Sequence, residues 1–174
     1  MVMAHPDLIA WNPKYRIVTR ARPNAAKVAL ISGGGSGHEP AHAGLVGRGL
    51  LDAAVCGDVF ASPSTIQVYQ AIKAAGTAKG CLLIVKNYSG DRMNFDAAAE
   101  MAEDDDLATK AVYVNDDVAV KDSLYTVGRR GVAGTVLVHK IAGAAAEAGL
   151  DLDAVAEVAK KVVANVRSMG FALT

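Results

Sequence analysis

Four short apolar runs, each stopped by polar or glycine-rich residues, set the rhythm of the chain. Lys27-Val28-Ala29-Leu30-Ile31 is halted by Ser32-Gly33-Gly34-Gly35-Ser36-Gly37, which reads as a buried strand ending in a glycine loop. Ala53-Ala54-Val55-Cys56 reads as a second short strand. Cys81-Leu82-Leu83-Ile84-Val85 is the strongest signal, a continuous run suited to burial on both faces of a sheet. Ala111-Val112-Tyr113-Val114 is the fourth, stopped by Asn115-Asp116-Asp117.

Between these runs the spacing turns helical. Ala41 to Leu50, with Pro40 at its start, is expected to be a helix. Ser64 is a candidate N-cap for a helix through Gln67, Tyr69 and Ile72 that stops near Gly76. Phe95 to Glu103 reads as helix, and so do Gly131 to Ala148 and Asp153 to Val166, with Asp151 or Asp153 capping the last. Strands alternating with helices predict a single α/β domain whose central sheet, mainly parallel or mixed, is flanked by helices. Three polar loops, Gly33 to Glu39, Lys86 to Asp91 and Asn115 to Asp117, each follow a strand. In an open parallel sheet such loops meet at one edge, where ligands bind.

Composition narrows the function. Of 174 residues, 33 are alanine and 17 glycine against nine aromatics, so the core depends on close helix–sheet approach. Lys+Arg and Asp+Glu balance at 18 each without a basic run, which gives no electrostatic footprint for DNA or RNA. Cys56 and Cys81 have neither C-x-x-C nor zinc spacing, and the expected setting is the reduced cytoplasm. The first residues lack a secretory pattern. The apolar window from Val132 to Leu150 is broken by His139, Lys140 and Glu147, against a membrane span.

The glycine run is no P-loop, because no Gly-Lys-Ser/Thr follows it. It also fails the dinucleotide fingerprint, since Pro40 stands where a glycine or alanine is required; this argues against an NAD-dependent dehydrogenase. Two readings remain: close backbone approach to a small ligand, or a tight turn without one. His38 is placed to move a proton near neutral pH. His38 and His42 mimic an i, i+4 metal pair, but Glu39-Pro40-Ala41 is a poor helix and no third ligand cluster is evident, so no metal site is assigned. His139 reads as a packed, hydrogen-bonded histidine. Lys86 can hold a carbonyl or hydroxyl oxygen and Asp91 can act as a base; equally, Asp91 can cap the next helix. Asp116-Asp117 offers cation ligands or, more ordinarily, exposed turn carboxylates. Asp104-Asp105-Asp106 reads as a solvated helix end.

Read together, these segments become specific. Gly33-Gly34-Gly35-Ser36-Gly37-His38-Glu39-Pro40 closely resembles the hallmark loop of the dihydroxyacetone kinases, as does Cys56-Gly57-Asp58-Val59-Phe60-Ala61-Ser62-Pro63. Lys86-Asn87-Tyr88-Ser89-Gly90-Asp91, followed by Met93-Asn94-Phe95, is similar to the family's substrate-loop motif. Asp116-Asp117-Val118-Ala119-Val120 and Gly128-Arg129-Arg130-Gly131-Val132-Ala133-Gly134-Thr135 complete the match over nearly the whole chain.

The resemblance implies the K subunit or K domain, which holds dihydroxyacetone or a related small ketose. It places substrate contacts at Gly35, Ser36, Gly37, His38, Lys86 and Asp91, with His38 and Asp91 as the acid–base positions. ATP, or ADP acting as a cofactor, with Mg is then expected on a separate L subunit or domain, and the family K subunit is typically a dimer. Family members usually carry an extra helical segment ahead of His5 and a second α/β domain beyond Thr174, whose histidine holds the substrate carbonyl as a hemiaminal. Residues 1–174 therefore read as the first domain, without the covalent anchor, which neither His42 nor His139 supplies. The alternative is a non-catalytic ketose-sensing or coactivator relative.

Overall fold

The computed structural model describes residues 1–120, 128–171 and 173. Its central strand is β3 (Ala29–Ser36), flanked on one side by β4 (Ala53–Val59) and on the other by β5 (Cys81–Lys86), both parallel to it. Outside β5 lies β6 (Thr109–Val114), also parallel. Outside β4 lies β2 (Ile17–Arg20), antiparallel, followed by its hairpin partner β1 (Ile9–Asn12). The sheet thus has the order β1-β2-β4-β3-β5-β6, mixed but with a parallel core, as the expected α/β class requires.

Alternation along the buried strands assigns the two faces. Ala29 and Ile31 of β3, with Cys81, Leu83 and Val85 of β5, pack under α1 (Thr65–Ala75) and α2 (Ser89–Asp104). Leu30 of β3, with Leu82 and Ile84 of β5, faces α3 (Thr135–Glu147) and α4 (Leu152–Asn165). Helix α1 begins as expected: Ser64 accepts a hydrogen bond from the Gln67 N–H, the Gln67 side chain returns to the Ser64 N–H, and Gly76 ends the helix. Asp151 caps α4 through the Ala154 N–H.

Three expectations are corrected. The chain from Ala41 to Leu50 is not an α-helix; it holds only a single 3-10 turn, Ala43–Leu45. Gly44, Gly47 and Gly49 are costly in a helix, and the segment folds instead as linked turns, such as Gly44 N–H to Pro40 O at 2.8 Å. The glycine run does not stop the strand, for β3 continues through Gly33, Gly34 and Gly35 to Ser36 with β4 alongside. Helix α2 starts at Ser89, six residues before Phe95, so the Lys86–Asp91 loop is largely a helix N-terminus.

At the end of the sheet away from the loops, Asp52 gathers the Lys27 ammonium (2.5 Å), the Arg20 guanidinium (3.1 Å) and the Leu30 N–H (2.9 Å). Arg20 also reaches Glu147 at the end of α3 (2.6 Å). Each of these buried charges has a partner, as burial demands. Among the described residues no helix is long and apolar enough to cross a membrane.

Candidate functional site

Strands β3, β4, β5 and β6 all end at one edge, and β3 is the strand where the chain turns first one way, to β4, and then the other, to β5. That is the position where open α/β sheets bind ligands. The register of β3 against β4 slips between Gly34 and Ser36, so Gly35 lies at a bulge. Its α-carbon is pressed against the next turn: a Cβ there would stand 2.6 Å from Ala61 N and 2.8 Å from Phe60 C. The Ser36 hydroxyl donates to Gly57 O (2.7 Å), and the Phe60 N–H donates to Ser36 O (2.9 Å). Gly37 takes a left-handed φ of 99°, which reverses the chain into exposed His38. The Glu39 carboxylate accepts from the Gly37 N–H (3.2 Å).

From β5 come Lys86 and, one turn into α2, Asp91. Asp91 is 4% exposed. It does not cap α2, whose N-cap is Tyr88, but lies in the first turn. Burial pushes its carboxyl above the ordinary value, against the opposing pull of the Ser62 hydrogen bond and of the charges at Lys86 and His38. Its Oδ1 has no hydrogen-bond partner among the described residues. The Lys86 ammonium is pushed below its ordinary value by burial, an effect that Asp91 opposes. A Cβ on Gly34 would sit 3.2 Å from Lys86 Nζ and 3.5 Å from His42 Nε2, which places the lysine over the glycine run.

Behind Lys86 lies a buried imidazole pair. The Ser32 hydroxyl donates to Ile84 O (2.6 Å) and lies 3.4 Å from His42 Nδ1. His42 Nδ1 and His139 Nε2 are 3.1 Å apart and share one proton, the donor being set by the tautomer. Burial drives both rings toward the neutral form, His42 well below its ordinary value and His139 to about 3. His139 is thus the packed, hydrogen-bonded histidine expected, and the His38/His42 spacing brings the two rings to different partners, Phe60 and His139. A cavity of about 280 Å³ opens here, lined by His38, His42, Lys86, Tyr88, Thr135 and His139 among others. Of the residues singled out from the sequence, His38 and Lys86 line it, Gly35 and Ser36 line a smaller recess, and Asp91, whose charge is felt at Lys86, lines neither.

The third loop behaves differently from expectation. Asp116 and Asp117 are both buried, not exposed. Asp116 accepts from the Val132 N–H (2.8 Å), the Gly134 N–H (2.7 Å) and the Ser168 hydroxyl. Asp117 takes the Arg130 guanidinium (2.6 Å), which holds its carboxyl below the usual range. These carboxylates fix the segment before α3 and are occupied in doing so. Asp104, Asp105 and Asp106 form an exposed helix end, with Asp105 bonded to Lys73 (2.9 Å).

Sequence reasoning did not single out Ser62 as the partner of Asp91, the His42–His139 contact or the ring of Phe60. The i, i+4 spacing of Thr135 and His139 on one helix face was a usable signal for the cavity wall.

The Dak1 domain family matches residues 1–174. Over 174 residues the chain is 56% identical to the dihydroxyacetone-binding subunit DhaK of the PTS-dependent dihydroxyacetone kinase 1 of Listeria innocua, covering 100% of this chain and 53% of that one. It is similar to the crystal structure of the dihydroxyacetone kinase of C. freundii, with a TM-score of 0.84 at 51% identity, covering 90% of this chain and 29% of that one. It is also similar to the dihydroxyacetone kinase operon co-activator Dha-DhaQ, with a TM-score of 0.86 at 36% identity, covering 92% and 49%. The chain spans about half the length of the dihydroxyacetone-binding subunits it matches.

Proposed function

The chain belongs to the Dak1 domain family, and from that premise we propose that it is the first, dihydroxyacetone-holding domain of a dihydroxyacetone kinase K subunit. In this reading it presents the triose hydroxyl for phosphorylation by an L subunit or domain in the cytoplasm. A second α/β domain completes the K subunit. The observation that carries the reading is the pair Lys86 and Asp91, a cation and a carboxylate that burial pushes toward their neutral forms, beside His38 and the glycine run. Opposed shifts of this kind at a strand edge suit proton handling on a small neutral substrate.

The roles are those the family resemblance implies, and the geometry supports them. Lys86 donates to a carbonyl or hydroxyl oxygen of the triose. Asp91, with one oxygen held by Ser62 and the other unpartnered, accepts the proton of the attacking hydroxyl. The bulged backbone at Gly35, Ser36 and Gly37 admits the substrate close to the chain, and His38 supplies the second acid–base group. Phosphoryl transfer then needs mainly alignment and charge neutralisation at the donor. The glycine run leads from a strand into a 3-10 turn and not into a helix N-terminus, so it does not build the usual phosphate cradle. In this reading ATP or ADP with Mg is held by the L partner, as the family resemblance implies. The higher identity toward kinase chains, 51% and 56% against 36% toward the co-activator, supports the kinase over a sensing role.

The test has two arms. Calorimetric titration of the chain with dihydroxyacetone is expected to show binding that Asp91→Asn and His38→Ala each weaken about tenfold, the loss of one hydrogen bond to a polar ligand. Equal binding in all three proteins would remove the site assignment. Adding an L component and a phosphoryl donor is expected to give little turnover until the second K domain is supplied. Full turnover by the 174-residue chain with ATP would sink the division of labour.

A further inference from the structure

Phe60 has a conformation and a position that packing does not explain. Its φ is 53°, a left-handed backbone that a bulky aromatic residue adopts only at an energetic cost. The residue is 71% exposed, so little hydrophobic burial offsets that cost. The turn is closed by its own Ala61 N–H on Asp58 O (3.1 Å) and held from outside by the Phe60 N–H on Ser36 O (2.9 Å). What the conformation achieves is a placement of the ring. It lies against Gly37, where a Cβ would come within 2.8 Å of Phe60 Cε1, and meets the His38 imidazole edge-on, with centroids 5.2 Å apart and planes at 66°. The ring is the aromatic group that the exposed His38 imidazole packs against, while the charge of His38 acts on Asp91 and Glu39.

We propose that Phe60 is a positioning residue for His38, a left-handed aromatic brace that holds the imidazole over the glycine run for the triose. The strain at Phe60 is retained for this placement and not for the stability of the fold. The substrate half of the role rests on the reading of His38 as a triose residue; the orientation of the ring does not.

The experiment uses the full chain and three variants. Phe60→Gly relieves the backbone strain and removes the ring, Phe60→Leu removes aromaticity only, and Phe60→Tyr keeps the brace. The Cε1 and Cδ2 protons of His38 are followed by NMR without ligand, Tm is measured, and dihydroxyacetone affinity is titrated. The expected result is that the His38 signals move toward free-histidine positions in the Gly and Leu variants and stay in Tyr. Tm in Phe60→Gly is expected to be unchanged or raised, since glycine is at ease at positive φ. Triose affinity should fall on the order of fivefold in Gly and Leu and recover in Tyr. Unmoved His38 signals in both Gly and Leu, with or without a fall in Tm, would overturn the proposal. So would moved signals with unchanged triose affinity. If the signals move and no protein, the parent chain included, binds the triose, the brace stands and the substrate reading fails.

Discussion

At Asp91 the fold and the chemistry favour different charge states. Burial raises the carboxyl above its ordinary value, so folding favours the protonated acid more than the unfolded chain does, while the proposed base must be ionised. A group with a raised folded pKa adds stability below its unfolded pKa and loses that contribution as pH climbs through the folded one. Asp91→Asn is therefore expected to raise Tm at pH 7 and to make no difference at pH 3, where the acid is protonated in the folded and unfolded chain alike. Thermal melts at the two pH values check this, and a lower Tm at pH 7 would argue that the carboxylate itself holds the fold. His139 works in the opposite sense. Its folded pKa is lowered from 6.5 to about 3, so its contribution is present above 6.5 and drains away as pH falls toward 3. At pH 4 the loss from this group is on the order of 3 kcal/mol relative to pH 7. His139→Gln should flatten that fall, read as a smaller change in urea midpoint between pH 7 and pH 4.

Elements whose signals were local were legible in the sequence, and those fixed by distant contacts were not. The Ser64 box and Gly76 stop define α1 within its own residues, and the uninterrupted run from Cys81 identifies β5. Ser89-Gly90-Asp91 has turn composition, yet it begins α2 because Ser62 holds Asp91 and Asn94 donates to Pro63 O (2.8 Å). The β1–β2 hairpin went unseen because each strand has only four residues; its mark was Asn12, whose side chain accepts from the Lys14 N–H (3.1 Å) and the Tyr15 N–H (3.3 Å). Asp116 is likewise a tertiary clamp, joining the end of β6 to the entry of α3 and to Ser168. Removing it as Asp116→Ala leaves two backbone N–H groups without their acceptor. A loss of roughly 2–4 kcal/mol is expected, measured by chemical denaturation. Because Gly131, Val132 and Ala133 also line the cavity, their amide resonances should shift more than those of α1.

At the scale of the molecule, the sequence placed the class of fold and the edge of the sheet where chemistry gathers. The order of strand ends needs only the alternation of elements. The sequence also singled out His38, Lys86 and Asp91, by their residue types beside the strand ends and by the family resemblance. The contacts of Ser62, Phe60 and His139 were not foreseen because the residues they touch, Asp91, His38 and His42, lie 29, 22 and 97 residues away. One property of β3 bears on timing. This strand pairs with β5 from Ala29 to Ser32 and with β4 from Ile31 to Ser36, and it ends in the glycines of the candidate site. Its amides from Leu30 to Gly34 should exchange with deuterium only when the whole sheet opens, while those of residues 37–50, in turns, exchange through local opening. The glycines would then be fixed on the timescale of global unfolding, and His38, just past the strand, would keep the faster clock of its loop.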